Sequence, residues 1–226
     1  VSNPPSPVRL GGYATTGAAY GVAVVGTVAY LACTGVGLQL IDVSNPASPA
    51  QLGGYGTSGN AWGVAVSGSV TYVANGDVGL QIIDVSIPAR PVRLGGYDIG
   101  GLAYGVAVSG SIAYVADDTA GLQIIDVSNP TSLVRLGGFD TSRHAHGVAV
   151  SGSIAYVADD TGGLQIIDVS NPVNPARLGG YNTSGNAQGV AVNRFLQQII
   201  RLHQVAIPGS GPFLQHQDAL AIAEIV

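Results

Sequence analysis

The chain has 226 residues, 46% of them hydrophobic and 9% charged, with a net charge of −5. That length can bury a core of its own, and the composition is that of a folded protein rather than a disordered one. Eight arginines without a lysine, in an acidic chain, supply no basic stripe for a phosphate backbone, which argues against a nucleic-acid partner.

No apolar run reaches the roughly 18 residues that span a bilayer, and no signal-peptide pattern opens the chain. Val1-Ser2-Asn3-Pro4 matches Val43-Ser44-Asn45-Pro46 from mid-repeat, and methionine is absent, so the sequence is expected to be a piece of a longer precursor. The single cysteine, Cys33, excludes an internal disulfide.

The first predicted strand is Val8 to Tyr13. Gly-Val-Ala-Val then begins at Gly21, Gly63, Gly105, Gly147 and Gly189, each 42 residues after the last. Self-similarity at this period, with strand-like units, points to propeller blades. In the third copy, two Val-, Ile- and Tyr-rich runs flank Ser109-Gly110-Ser111, the signature of a tight hairpin joining strands a and b. Leu122 to Val127 follows as strand c. It is apolar on both faces except at Gln123 and Asp126, as a strand sandwiched between neighbouring sheets should be. Ser128-Asn129-Pro130 forces a turn, because proline fixes φ and cannot continue the ladder, and Val134 to Phe139 is strand d. The rival fold is a β-helix, whose parallel coils have no use for a two-residue hairpin.

At Leu80-Gln81-Ile82-Ile83-Asp84 and its copies, with a following turn that contains Asn-Pro in all but this copy, the chain resembles the LVIVD repeat family over residues 1 to about 192. The resemblance implies a β-propeller of the kind found in secreted or cell-surface proteins of bacteria and archaea, mostly without an assigned activity. It carries no catalytic residues across, and from it the expected location is extracellular or at the cell surface.

After Val192 the pattern breaks. Phe195, Leu196, Ile199, Ile200 and Leu202 fit a short amphipathic helix or a distorted strand b, and Pro208 to Pro212 reads as a loop. Asp218 to Ile225 aligns with a degenerate strand c, Leu220, Ile222 and Glu224 replacing Leu80, Ile82 and Asp84. The expected fold is therefore one all-β domain over 1–226, a β-propeller of four-stranded antiparallel blades. Its repeat units are 1–42, 43–84, 85–126, 127–168 and 169–226, the last degenerate after 192. Five blades would close by pairing the N-terminal strand d with the C-terminal strand c, which removes the open sheet edge and leaves a monomer. The rival is a fragment of a six- to eight-bladed ring ending in a truncation or reading-frame slip.

The a-to-b and c-to-d turns are nearly constant among the repeats, whereas the d-to-a and b-to-c loops vary. Those two loop sets emerge on one side of an antiparallel blade, the usual layout of a binding surface. Tyr20, Trp62, Tyr104, His146 and Gln188, each just before strand a, are expected at the channel mouth. Such rings suit stacking on sugars or capture of a partner's side chains; the structural alternative is that each packs on the next blade and plugs the channel.

Asp77, Asp117, Asp118, Asp159 and Asp160 form an acidic arc on the same face. Clustered carboxylates could hold Ca²⁺, although no Asp-x-Asp-x-Asp-Gly loop appears and tight-turn aspartates bond their own backbone; no other cofactor is indicated. His144 and His146, beside Arg143, could contribute to a metal site that lacks an evident third ligand. Cys33 shares the slot of Asn75, Asp117 and Asp159, which would place a free thiol at the ligand face. Asp42, Asp84, Asp126 and Asp168 read as turn-makers, with Arg93, Arg135 and Arg177 as cross-strand partners.

These features favour a non-enzymatic binding or adhesion module taking a glycan or protein. A polysaccharide hydrolase or lyase using the b-to-c aspartates, and a structural spacer in a larger surface protein, are the alternatives.

Overall fold

A computed structural model describes residues 6–192. Those residues form sixteen strands in four antiparallel sheets, each built from four consecutive strands. The first sheet holds β1 (Ala19–Val25), β2 (Val28–Cys33), β3 (Gly37–Asp42) and β4 (Ala50–Tyr55); the second holds β5 (Gly63–Ser67), β6 (Val70–Ala74), β7 (Leu80–Asp84) and β8 (Val92–Tyr97). The third holds β9 (Ala103–Ser109), β10 (Ile112–Asp117), β11 (Gly121–Asp126) and β12 (Val134–Phe139); the fourth holds β13 (Gly147–Ser151), β14 (Ile154–Ala158), β15 (Leu164–Asp168) and β16 (Ala176–Tyr181). The chain is all-β, and its sheets are propeller-like blades.

Each blade's first hairpin closes on two residues. Ser109 pairs with Ile112, and Gly110 between them takes φ +59°, as do Gly26, Gly68 and Gly152 at the equivalent places. That left-handed backbone is what glycine permits and what a two-residue hairpin requires.

The core lies between blades rather than within them. Tyr72, Ala74, Leu80 and Ile82 of the second blade pack against Val106, Ala113, Val115 and Ile125 of the third. Tyr114, Ala116, Leu122 and Ile124 of the third repeat that contact on Val148, Ala155, Val157 and Ile167 of the fourth. Successive side chains of the central strands point to opposite neighbours, which is why strand c must be apolar on both faces. At the ends of the array the same positions are uncovered: Val22 is 63% exposed, whereas its equivalents Val106 and Val148 are 8% and 9% exposed.

Where strand c meets strand d the register slips in every blade. Ile124 faces Gly137 and Ile125 faces Arg135, leaving Leu136 as an extra residue. The resulting bulge adds local twist to the outer edge. The Asp–Arg pairing expected across these strands is not formed. Arg93, Arg135 and Arg177 instead donate from Nε to Gln81, Gln123 and Gln165 at 2.7, 2.6 and 2.8 Å. Strand alternation explains the correction, since Arg135 lies opposite Ile125, on the face of Gln123 and away from Asp126. The aspartates do make turns: Asp84 and Asp126 each accept a 2.8 Å bond from the backbone N–H two residues on, at Ser86 and Ser128. That bond holds their carboxyls below the usual range.

Val8 to Tyr13 pairs with no described strand. The expected helix or strand b after Val192, the loop at 208–212, the strand c at 218–226 and its closing pairing all lie outside the described residues.

Candidate functional site

The four inner strands, β1, β5, β9 and β13, lie side by side, and a glycine sets their spacing. A Cβ on Gly21 would stand 2.6 Å from the carbonyl oxygen of Trp62; on Gly63, 2.6 Å from that of Tyr104; on Gly105, 2.6 Å from that of His146. The repeated glycine is thus the place where one blade's backbone touches the residue that opens the next.

Those opening residues come together. Tyr20 and Trp62 have ring centroids 4.3 Å apart at 62°, Trp62 and Tyr104 5.6 Å apart at 61°, and Tyr104 and His146 4.8 Å apart at 51°. The result is a continuous file of four rings through four blades, in the edge-on geometry that aromatic quadrupoles prefer. Tyr20 is 60% exposed, and the other three are half-buried. Gln188 is exposed, and its carbonyl stands in the same relation to Gly147, 2.9 Å from a Cβ built there.

The loops flanking this file are joined across blades. Gly76, Asp118 and Asp160, in the b-to-c loops, bridge to Ala103, Ala145 and Ala187 at the entry to the following blade. Asp118 and Asp160 take φ of 35° and 46°, matching 56° at Gly76. They hold the left-handed turn position, which Asp tolerates because its short side chain bonds locally.

The acidic arc divides. Asp77 is exposed, and Asp118 and Asp160 are half-buried, but Asp117 and Asp159 are fully buried. In the third blade strand b runs on to Asp117 itself, and the slot points inward beneath the d-to-a loop, where Gly101 lies directly on the Asp117 carboxylate. No side chain bonds the Asp117 carboxylate, which has only the backbone N–H of Leu102 near it, whereas Asp159 accepts a 2.5 Å bond from the Thr141 hydroxyl. Burial, with the neighbouring Asp118 charge, pushes the Asp117 carboxyl up to about 6. The same inward slot buries Cys33 completely, so its thiol is not at the ligand face, and burial raises its pKa.

The two histidines part company. His146 joins the ring file, while His144 Nδ1 lies 2.7 Å from Asp118 Oδ1, linking the third blade to the entry of the fourth. Among the described residues no three His, Cys, Asp or Glu side chains come close enough to hold a metal ion. Thr141 and the buried glutamines were not singled out by sequence; the signals were the 18-residue spacing of Thr141 to Asp159 and the 12-residue spacing of each Gln to its Arg.

The LVIVD repeat model matches residues 16–57, 58–99, 100–141 and 142–183. This chain belongs to the LVIVD repeat family. Each matched LVIVD repeat holds one whole sheet, from inner strand to outer strand. No curated protein matches it.

Among solved structures, the computationally designed Ika8 protein is similar at 10% identity and a TM-score of 0.59, covering 77% of this chain and 52% of its own. The designed Ika4 protein is similar at 9% identity and a TM-score of 0.59, covering 73% of this chain and 99% of its own. A functionally unknown protein from Desulfotomaculum acetoxidans is similar at 14% identity and a TM-score of 0.57, covering 76% of this chain and 60% of its own. The LVIVD chain thus spans about half the length of the first of these. Likeness at such identities speaks to the fold alone.

Proposed function

We propose that this chain is a non-enzymatic interaction scaffold of a cell-surface protein, taking a glycan or protein on the face that carries the d-to-a and b-to-c loops. The contiguous file Tyr20–Trp62–Tyr104–His146 carries the reading. It sits among the loops that vary most between repeats, with Tyr20 presenting an open ring and the inner strands beneath it forming a rigid base. A surface location follows from the family resemblance.

The double change Trp62→Ala and Tyr104→Ala, with its far-UV circular dichroism unchanged, is expected to abolish binding on a glycan array or to purified surface proteins. Binding that survives the change would end the proposal. Burial of Asp117 and Asp159 takes two of the four b-to-c aspartates away from the hydrolase alternative and leaves it Asp118 and Asp160.

The scaffold is further proposed to be a closed ring of five blades. Gly11 lies on the Pro46 carbonyl as Gly53 lies on Pro88, Gly95 on Pro130 and Gly137 on Pro172. Val8 to Tyr13 therefore stands beside the first blade as each outer strand stands beside the blade that follows it. That relation supports its serving as the outer strand of a fifth blade that would begin with the Gly189 repeat. Light scattering should then report a monomer.

A further inference from the structure

The ring file has an acidic rim. Asp77, Asp98 and Asp140 are exposed on the loops of that face, and Asp118 and Asp160 are half-buried there. Against them, among the described residues of those loops, stand only Arg143, His144 and His146; His144 is already held by Asp118 at 2.7 Å, and His146 is itself a ring of the file. The other described arginines lie elsewhere: Arg93, Arg135 and Arg177 on the outer strands, Arg9 in the N-terminal segment and Arg90 in a c-to-d turn on the opposite side.

Two of these acidic loops adjoin the rings. Burial opposes ionisation of the Tyr104 phenol, and the nearby Asp118 charge adds to the effect. Trp62 Nε1 lies 3.5 Å from the Cβ position of Gly76, the residue before Asp77. Aromatic faces carry negative quadrupole potential, and nearby carboxylates deepen it. A neutral sugar gains nothing from that charge, whereas a guanidinium or ammonium gains from both the ring and the carboxylate. The file also runs through four blades. One small cation would cover a single ring pair, but an extended peptide with several basic side chains can follow the whole file.

We infer that the partner at this surface is a basic segment of a protein, seating an arginine or lysine over Trp62 and Tyr104 with Asp77 and Asp118 at its flanks. The inference rests on the proposed function of the loop face and narrows it to one class of partner.

Trp62 is the chain's one tryptophan, so its emission reads the file directly. The full chain is titrated with a hexa-arginine peptide, a hexa-glutamate peptide and a neutral maltohexaose. Hexa-arginine is expected to change Trp62 emission saturably, the other two to leave it unchanged. Raising salt should weaken the arginine response, since rim charges are screened within about 10 Å at 0.1 M. Each of Asp77→Asn and Asp118→Asn should lower affinity roughly two- to five-fold, the scale of one exposed cation–aromatic contact. The Asn side chain keeps the turn and an acceptor for His144 while removing the charge.

A saturable response to maltohexaose alone overturns the basic-partner inference while leaving the loop-face reading intact. A hexa-arginine response indifferent to salt and to both Asn variants overturns it as well, as does silence toward hexa-arginine.

Discussion

A Cβ on Gly63 would meet the Tyr104 carbonyl oxygen at 2.6 Å and the Gly105 α-carbon at 3.0 Å, both backbone atoms of the next blade. Neither can swing aside as a side-chain tip would. Gly63→Ala should therefore force the inner strands apart and cost about 1–3 kcal/mol, the usual range for overpacking. Urea denaturation measures the loss, and the Trp62 emission maximum should move with it because the ring file rides on the same contact.

Gly189 provides the matching test of ring closure. Among the described residues nothing lies within 4 Å of its Cβ position. On a closed five-blade ring the carbonyl facing it would be that of Tyr20, by the rule that relates Gly21 to Trp62. Gly189→Ala should then destabilise about as much as Gly63→Ala, roughly 1–3 kcal/mol. A neutral result in urea would mean an open array.

Asp117 gives a pH dependence of definite sign. Its carboxyl is pushed up to about 6 in the fold, mainly by burial, so the fold binds a proton more tightly than the unfolded chain does. The contribution of this one group is then fully present below the unfolded pKa, near pH 4, and is lost as the pH rises through about 6. Asn75 fills the same slot in the second blade. Asp117→Asn should accordingly be more stable than the parent at pH 7 by about 1–3 kcal/mol, and equal to it near pH 4. Thermal melts of both chains at the two pH values decide the matter.

The outer edge offers a pairwise test. Arg135 Nε donates to Gln123 Oε1 at 2.6 Å, and Asp126 is engaged with Ser128 instead. A double-mutant cycle on Arg135→Ala and Gln123→Ala should give a coupling of about 0.5–1.5 kcal/mol. The cycle pairing Arg135→Ala with Asp126→Ala should give none within error.

What could be read from sequence follows from which interactions are local. Ser109-Gly110-Ser111 announces a two-residue hairpin by itself, and Leu122 to Val127 declares two buried faces by lacking polar alternation. The bulge at Leu136 is invisible because Arg-Leu-Gly-Gly-Phe reads equally well in either register, and only the paired strand reveals which residue is extra. The same slip misled the Arg135 assignment. Asp117 looks like the first residue of an exposed Asp-Asp-Thr turn; it is buried by Gly101, sixteen positions earlier, which no local pattern announces. The ring file was legible as a set of positions, each one step before the repeated glycine. That its members touch, and that Gln188 extends it with a carbonyl rather than a ring, depended on the spacing between blades.

Every joint between the four described blades uses the same three contacts: a glycine on the following blade's carbonyl, a glycine on its proline turn, and the interblade core. The side-chain links laid over them, such as Asp118 to His144, differ from joint to joint. A gene that gained or lost one 42-residue unit would present the new neighbours with familiar surfaces, so a change in copy number becomes a change in the number of blades without any new backbone interface having to evolve.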